Sequence, residues 1–211
     1  MKRLLKLVLL VFLLGNTFVR AQDCLHTSLS YKFNYKLAVK KTVYVDTFIE
    51  SPRVRNVVVH LKIYDKSDKK IHQALNIKLP DLHLDSFNNC DSVRSYITGY
   101  SKNKEVDDYD FGDFIVADLN FDGKEDFAIK CHYTVDGGPD YMFYIQDSVG
   151  NFRLNNFLTT HMGGFPKYFD AKRKTLTTQL HANVSQEAKK TFQYNSKTQK
   201  WKLIKWVMVD D

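Results

Sequence analysis

Residues 114–129 read FIVADLNFDGKEDFAI, and the fold turns on how that stretch is divided. Its ends, FIVA and FAI, are apolar and rich in β-branched and aromatic residues, which suits strands. Between them, DLNFDGKED (118–126) packs four carboxylates, one Asn and one Gly into nine positions. That is turn chemistry. The stretch therefore reads as strand, tight acidic turn, strand.

Working outward, the same grammar repeats. Leu29, Tyr31, Phe33, Tyr35 and Leu37 alternate with polar residues, and TVYVDTFI (42–49) reads as a further strand. Val57, Val59, Leu61 and Ile63 face one way; after the polar turn DKSDKK (65–70), Ile71, Leu75, Ile77 and Leu79 resume the inward set, which predicts a hairpin. Residues 91–102 predict a short helix capped by Asp91 or Ser92. Strands return at 113–117, 127–134, 141–146, 151–157, 175–181, 190–195 and 200–209, separated by Gly-, Asn- and Asp-bearing turns. The expected fold is mainly β, with antiparallel sheets as a sandwich or a partial propeller-like array and at most one or two short helices.

The first 21 residues read differently. Lys2, Arg3 and Lys6 precede an apolar run at 7–14, and Val19-Arg20-Ala21 offers small residues at −3 and −1. This is the pattern of a secretory signal peptide cut after Ala21, which would send the chain to the periplasm or the outside. No other segment approaches the ~20 apolar residues of a membrane helix, so no membrane span is expected. The expectation is a leader (1–21) and one β-rich domain (22–211), with a soft boundary near residue 105. Removing the leader's four basic residues leaves 27 basic and 24 acidic ones, a net of +3 rather than the +7 of the whole chain. That balance gives no charge argument for a nucleic-acid partner.

What charge remains is segregated. Residues 105–126 hold nine acids against one base, Lys124, while Lys and Arg crowd 167–205, opposed only by Asp170 and Glu187. The three cysteines, Cys24, Cys90 and Cys131, leave at least one thiol over within one chain. Cys131 shares the Phe127 and Ile129 side of its strand, which points to an inert buried thiol or a Cys90–Cys131 bridge.

The acidic turn has the donor set of a hard cation. Ca²⁺ takes six to eight oxygen ligands, and alternate positions of a tight loop converge on one centre. Here those positions are Asp118, Asn120 and Asp122. Gly123 allows the sharp turn, Lys124 offers its carbonyl oxygen, and Asp126 ligates directly or through water. Chance gives this spacing in on the order of one in a thousand chains of this length. Position 12 is Ile129 rather than a bidentate Glu, and strands replace the flanking helices, so the loop is not an EF-hand.

DxNxDGxxD before an apolar strand resembles the calcium loop of FG-GAP and VCBS-type β proteins. The order of features in 113–209 extends the likeness: the loop, the Gly-rich turn DGGPD, a GNF hairpin, FDAKRKTLTT, and a terminal hairpin ending WKLIKW. It is similar to small exported calcium-binding lysozyme inhibitors and periplasmic immunity proteins against peptidoglycan hydrolases. The resemblance covers about half of the chain after the leader. It implies one Ca²⁺ held by Asp118, Asn120, Asp122, Lys124 and Asp126, no catalysis, and a lysozyme-like peptidoglycan hydrolase as partner. A turn entering a hydrolase cleft loses little entropy on binding. The turn TVDGGPDYM (134–142) is the candidate, with Asp136, Asp140 and Tyr141 as contact residues. A carbohydrate-binding module using an exposed aromatic is the alternative. Trp201 and Trp206 have opposite parity in the last strand, which puts one in the core and the other outward. The seven histidines form no HExxH, and no GxSxG or phosphate loop is present; His132 is the best acid–base candidate. Asn183-Val184-Ser185 fits a glycosylation sequon.

Overall fold

The computed structural model describes residues 18–27, 32–46, 51–80, 86–87, 90, 93–96, 111–134 and 138–210. Among them the chain is mainly β, with three sheets and one short helix. The first sheet is an antiparallel meander of β1 (Phe18–Thr27), β2 (Phe33–Asp46), β3 (Ser51–Asp65) and β4 (Ile71–Leu79). The second contains, in spatial order, β5 (Val93–Ser95), β6 (Phe114–Ala117), β7 (Asp126–Thr134), β8 (Gly138–Gln146) and β9 (Phe152–Leu154). Helix α1 (Asn156–His161) follows. The third is another meander, β10 (Tyr168–Asp170), β11 (Thr175–Asn183), β12 (Gln186–Asn195) and β13 (Lys200–Asp210).

Alternation along the middle sheet explains the layering. Phe114, Val116, Phe127, Ile129 and Tyr144 join Phe33, Tyr35, Leu37, Val59 and Leu61 of the first sheet in one core. The intervening residues Ile115, Ala117, Ala128, Tyr141 and Phe143 join Leu158, Met162, Phe165, Leu176, Phe192 and Trp201 in a second. The middle sheet is therefore apolar on both faces, and all four residues of β6 are buried. The result is a three-layer sandwich rather than propeller blades. The 65–70 turn joins β3 and β4 as the sequence predicts, with Leu61 opposite Leu75 and Val59 opposite Ile77; Ile71, expected inward, instead pairs with Tyr64 past an irregularity and is exposed.

Four expectations are corrected. TVYVDTFI is not a separate strand: β2 runs on to Asp46 through an irregularity between Lys40 and Thr42, so one long strand bends where two were expected. Residues 47–49 lie outside the described residues. In the expected helix at 91–102, Val93–Ser95 is instead β5, pairing parallel with β6; 91–92 and 97–102 are not described. The strand expected at 151–157 stops at Leu154, because the Asn155 side chain accepts the Leu158 N–H at 3.0 Å and caps α1. The disulfide joins Cys24 to Cys90, while Cys131 is free and buried. Cys131 sits at a register shift between Lys130 and His132, inside the first core. Burial pushes its thiol up to about 12, the inert alternative.

Candidate metal loop and the β7–β8 turn

The acidic loop runs from the end of β6 to the start of β7. Two residues carry its reversal, Phe121 (φ 60°) and Gly123 (φ 81°). A Cβ at Gly123 would meet nothing within 4 Å, so glycine serves there for its backbone angles rather than for space. Asp118 ties the turn from below. One of its carboxylate oxygens accepts the Asp122 N–H at 3.1 Å and the other the Gly123 N–H at 2.9 Å. The Asn120 amide oxygen also accepts the Asp122 N–H at 3.0 Å, and the Asp122 carboxylate accepts the Lys124 N–H at 2.9 Å.

Asp126 is the deepest of the set. It is fully buried; one oxygen accepts the Gln146 N–H at 2.8 Å, and the other accepts Leu119 N–H at 2.9 Å and Asn120 N–H at 3.3 Å. Burial pushes its carboxyl well above the usual range and the charges of Asp122 and Asp118 add to that, while the Gln146 and Leu119 N–H bonds pull it back. Asp118 and Asn120 are buried at the loop's base; Asp122, Gly123 and Lys124 are exposed at its tip.

This donor set fits a hard cation. An ionised carboxylate has about four acceptor sites, so the N–H bonds to Asp118 and Asp122 leave oxygen lone pairs for a metal. Asn120 and the Lys124 carbonyl add neutral oxygens. Among the described residues, no three His, Cys, Asp or Glu side chains gather as a metal-holding group, so the set depends on these neutral donors.

The loop is also tied to both outer sheets. Glu125, whose role the sequence did not disclose, reaches the first sheet and accepts the Phe33 N–H at 2.8 Å. Burial pushes its carboxyl up to about 7, against the Tyr35 hydroxyl and the Phe33 N–H. From the third sheet, Lys174 donates to the Phe121 carbonyl at 3.4 Å and to the Ser196 hydroxyl at 2.7 Å. Beside the loop, Asp113 and Lys130 form a buried ion pair at 2.9 Å, and Asp113 also accepts the Phe87 N–H at 2.6 Å.

The β7–β8 turn places its candidates unevenly. Asp136 lies outside the described residues. Tyr141 is in the second core, and its hydroxyl donates to the Gly112 carbonyl at 2.8 Å. It is a packing residue rather than a surface anchor, because inward alternation in β8 runs through Tyr141 and Phe143. Asp140 is half-buried opposite His132. Burial raises its carboxyl, and the neighbouring charges of His132 and Lys190 lower it. Its Oδ1 lies 3.8 Å from where a Gly163 side chain would begin. The turn therefore borders the third sheet. His132 faces this carboxylate across the β7–β8 ladder.

Trp201 is buried against Tyr194 and Trp206 is exposed, but not through the opposite facing that parity implied. They share a sheet face. Trp201 pairs with Tyr194 and Trp206 with Lys190, both on the Phe192 side, because a bulge between Thr191 and Phe192 inserts one residue between them.

No family model, no curated protein and no solved structure matches this chain.

Proposed function

We propose that the chain is an exported, calcium-stabilised β protein that acts by binding another protein, a lysozyme-like peptidoglycan hydrolase. The observation that carries the calcium reading is the 118–126 loop: its own N–H groups pre-shape a cradle of hard oxygens around Gly123. Asp118, Asn120, Asp122, Asp126 and the Lys124 carbonyl would hold the ion. When bound, Ca²⁺ supplies positive charge to a loop whose one base is Lys124. The role is structural, since Glu125 and Lys174 connect the loop to both outer sheets.

The partner reading rests on the resemblance of 113–209 to exported inhibitors. Two features support export. A Cys24–Cys90 disulfide suits an oxidising compartment. A cut after Ala21 would also leave the rest of β1, with Cys24 opposite Leu37, in the first sheet. A glycan-binding module is the second reading, on the single observation that Trp206 is exposed.

Thermal melts of residues 22–211 in Ca²⁺ and in chelator test the first part. At a hundredfold excess over the dissociation constant the ion adds about 2.7 kcal/mol, a rise in Tm of about 5–10 °C for this size. Asp122→Ala should abolish the rise. No shift at millimolar Ca²⁺ would make the loop an acidic turn only. A turbidity assay with peptidoglycan and a hydrolase panel tests the second part, with inhibition expected and none overturning it.

A further inference from the structure

The acidic loop interleaves two kinds of position. The proposed ligands stand at 118, 120, 122, 124 and 126; Phe121 lies between two of them and Glu125 between two others. Those two intervening residues lead to different outer sheets. Glu125 is 2% exposed, and one of its oxygens accepts the Phe33 N–H at 2.8 Å, 92 residues away in sequence. Phe33 opens β2, and its ring meets His72 of β4 at 4.6 Å and Phe152 of β9 at 5.7 Å. The bond therefore lands where the first sheet packs on the middle one. Phe121 is 9% exposed, its ring lies edge-on to Phe169 of β10 at 6.4 Å, and its carbonyl accepts Lys174 at 3.4 Å.

The two ties are unequal. A hydrogen bond sealed from water is electrostatically stronger than one open to it. The Glu125 bond is short and buried; the Lys174 bond is long and partly exposed. Both ties answer to the same loop closure. Oxygens at 124 and 126 that converge on one centre fix the peptides on either side of Glu125, and so where its side chain reaches. Oxygens at 120 and 122 do the same for the Phe121 carbonyl. Residue 125 is thus joined by backbone to two ligand positions and by its side chain to another sheet.

We infer that Glu125 is the positioning residue through which calcium at the loop tightens the first sheet onto the middle one, with Phe121 and Lys174 as a weaker line to the third sheet. This deepens the proposed function by naming what the ion regulates, and it rests on the calcium reading. Coupling of this kind is reciprocal: if calcium tightens the Phe33 contact, loss of that contact weakens calcium binding by the same factor. A Glu125 that served packing alone would lower stability with and without calcium alike and leave the affinity unchanged.

The experiment measures calcium affinity by calorimetry and amide hydrogen exchange by NMR, in the full chain at one pH, with calcium chloride and with chelator. Three amides report. Gly123, bound to Asp118, reads the loop; Lys66, bound to the Lys32 carbonyl, reads the corner beside Phe33; Tyr194, bound to the Lys174 carbonyl, reads the third sheet. In wild type, calcium should slow exchange at Gly123 and, by at least about fivefold, at Lys66, with a smaller effect at Tyr194. Glu125→Ala should keep the slowing at Gly123, lose it at Lys66 and weaken calcium binding at least about fivefold. Glu125→Gln, which keeps an oxygen for the Phe33 N–H, should retain most of both effects. Lys174→Met should weaken binding by less than about threefold. Glu125→Asp, one methylene short of Phe33, gives the same test should the alanine variant not fold. Calcium that protects Gly123 but not Lys66 in wild type, or that binds Glu125→Ala and Glu125→Asp as tightly as wild type, overturns the inference and leaves the calcium reading standing. No binding at millimolar calcium and no protection at Gly123 removes both.

Discussion

The two outer sheets are built alike and end differently. Each is a four-stranded antiparallel meander laid on one face of the middle sheet. In the first, among the described side chains of the inward rows, Tyr35, Leu37, Leu61 and Ile63 have no exposed surface. In the third, the same alternation starts buried at Trp201 and Phe192 and finishes in water at Trp206 and Met208. Alternation states which residues share a face. How far that face is covered depends on what packs against it, here α1 and the Gly163–Gly164 segment. The first sheet's inward rows are a stability element, while the third sheet's end in water at Trp206 and Met208.

The largest effect that would break the comparison is covalent. The Cys24–Cys90 bridge closes a loop with a sequence separation of 66 and ties edge strand β1 to the chain that follows β4. Chain entropy makes that worth about 4 kcal/mol. Cys90→Ser should lower urea stability by that order, and reductant should destabilise wild type equally while leaving Cys90→Ser unchanged. If reduction costs nothing, the first sheet is not held in this way and the two meanders are more alike than the pairing implies.

Next comes packing. Leu61 sits at the centre of the covered rows, opposite Leu37 and Leu75. Leu61→Ala removes buried methyl groups and leaves a cavity, at a cost of about 3 kcal/mol. Urea melts with an unchanged m-value would measure it. A loss below about 1 kcal/mol would mean that the first core is looser than its burial indicates.

How much of this was legible in the sequence follows from the same physics. Leu37, Leu61 and Ile77 were readable because regular alternation with a buried face leaves one register. The 118–126 loop was readable because its spacing is set by local chain geometry: Asp118 and Gly123 meet across five residues. Irregularities were not. The bulge at Thr191 and Phe192 put Trp201 and Trp206 on one face although they differ by five positions. The irregularity at Lys40 merged two expected strands, and Cys24 rather than Cys131 met Cys90 because partners so distant in sequence are decided by tertiary packing. Tyr141 was read as a surface anchor because turn chemistry beside it hid that β8 already points it inward. Glu125 carried no signal beyond its charge; only the Phe33 N–H, 92 residues away, reveals what it does.

The smallest effect sharpens the comparison most. Met208 has the parity of Ala188 and Leu180, and by pattern alone it belongs to the core. Its exposure says otherwise, since a side chain already near half in water leaves little to lose when shortened. Met208→Ala should change urea stability by less than about 0.5 kcal/mol, the range of ordinary surface substitutions. A loss near 3 kcal/mol, matching Leu61→Ala, would place Met208 in a packed core and erase the difference between the two sheets.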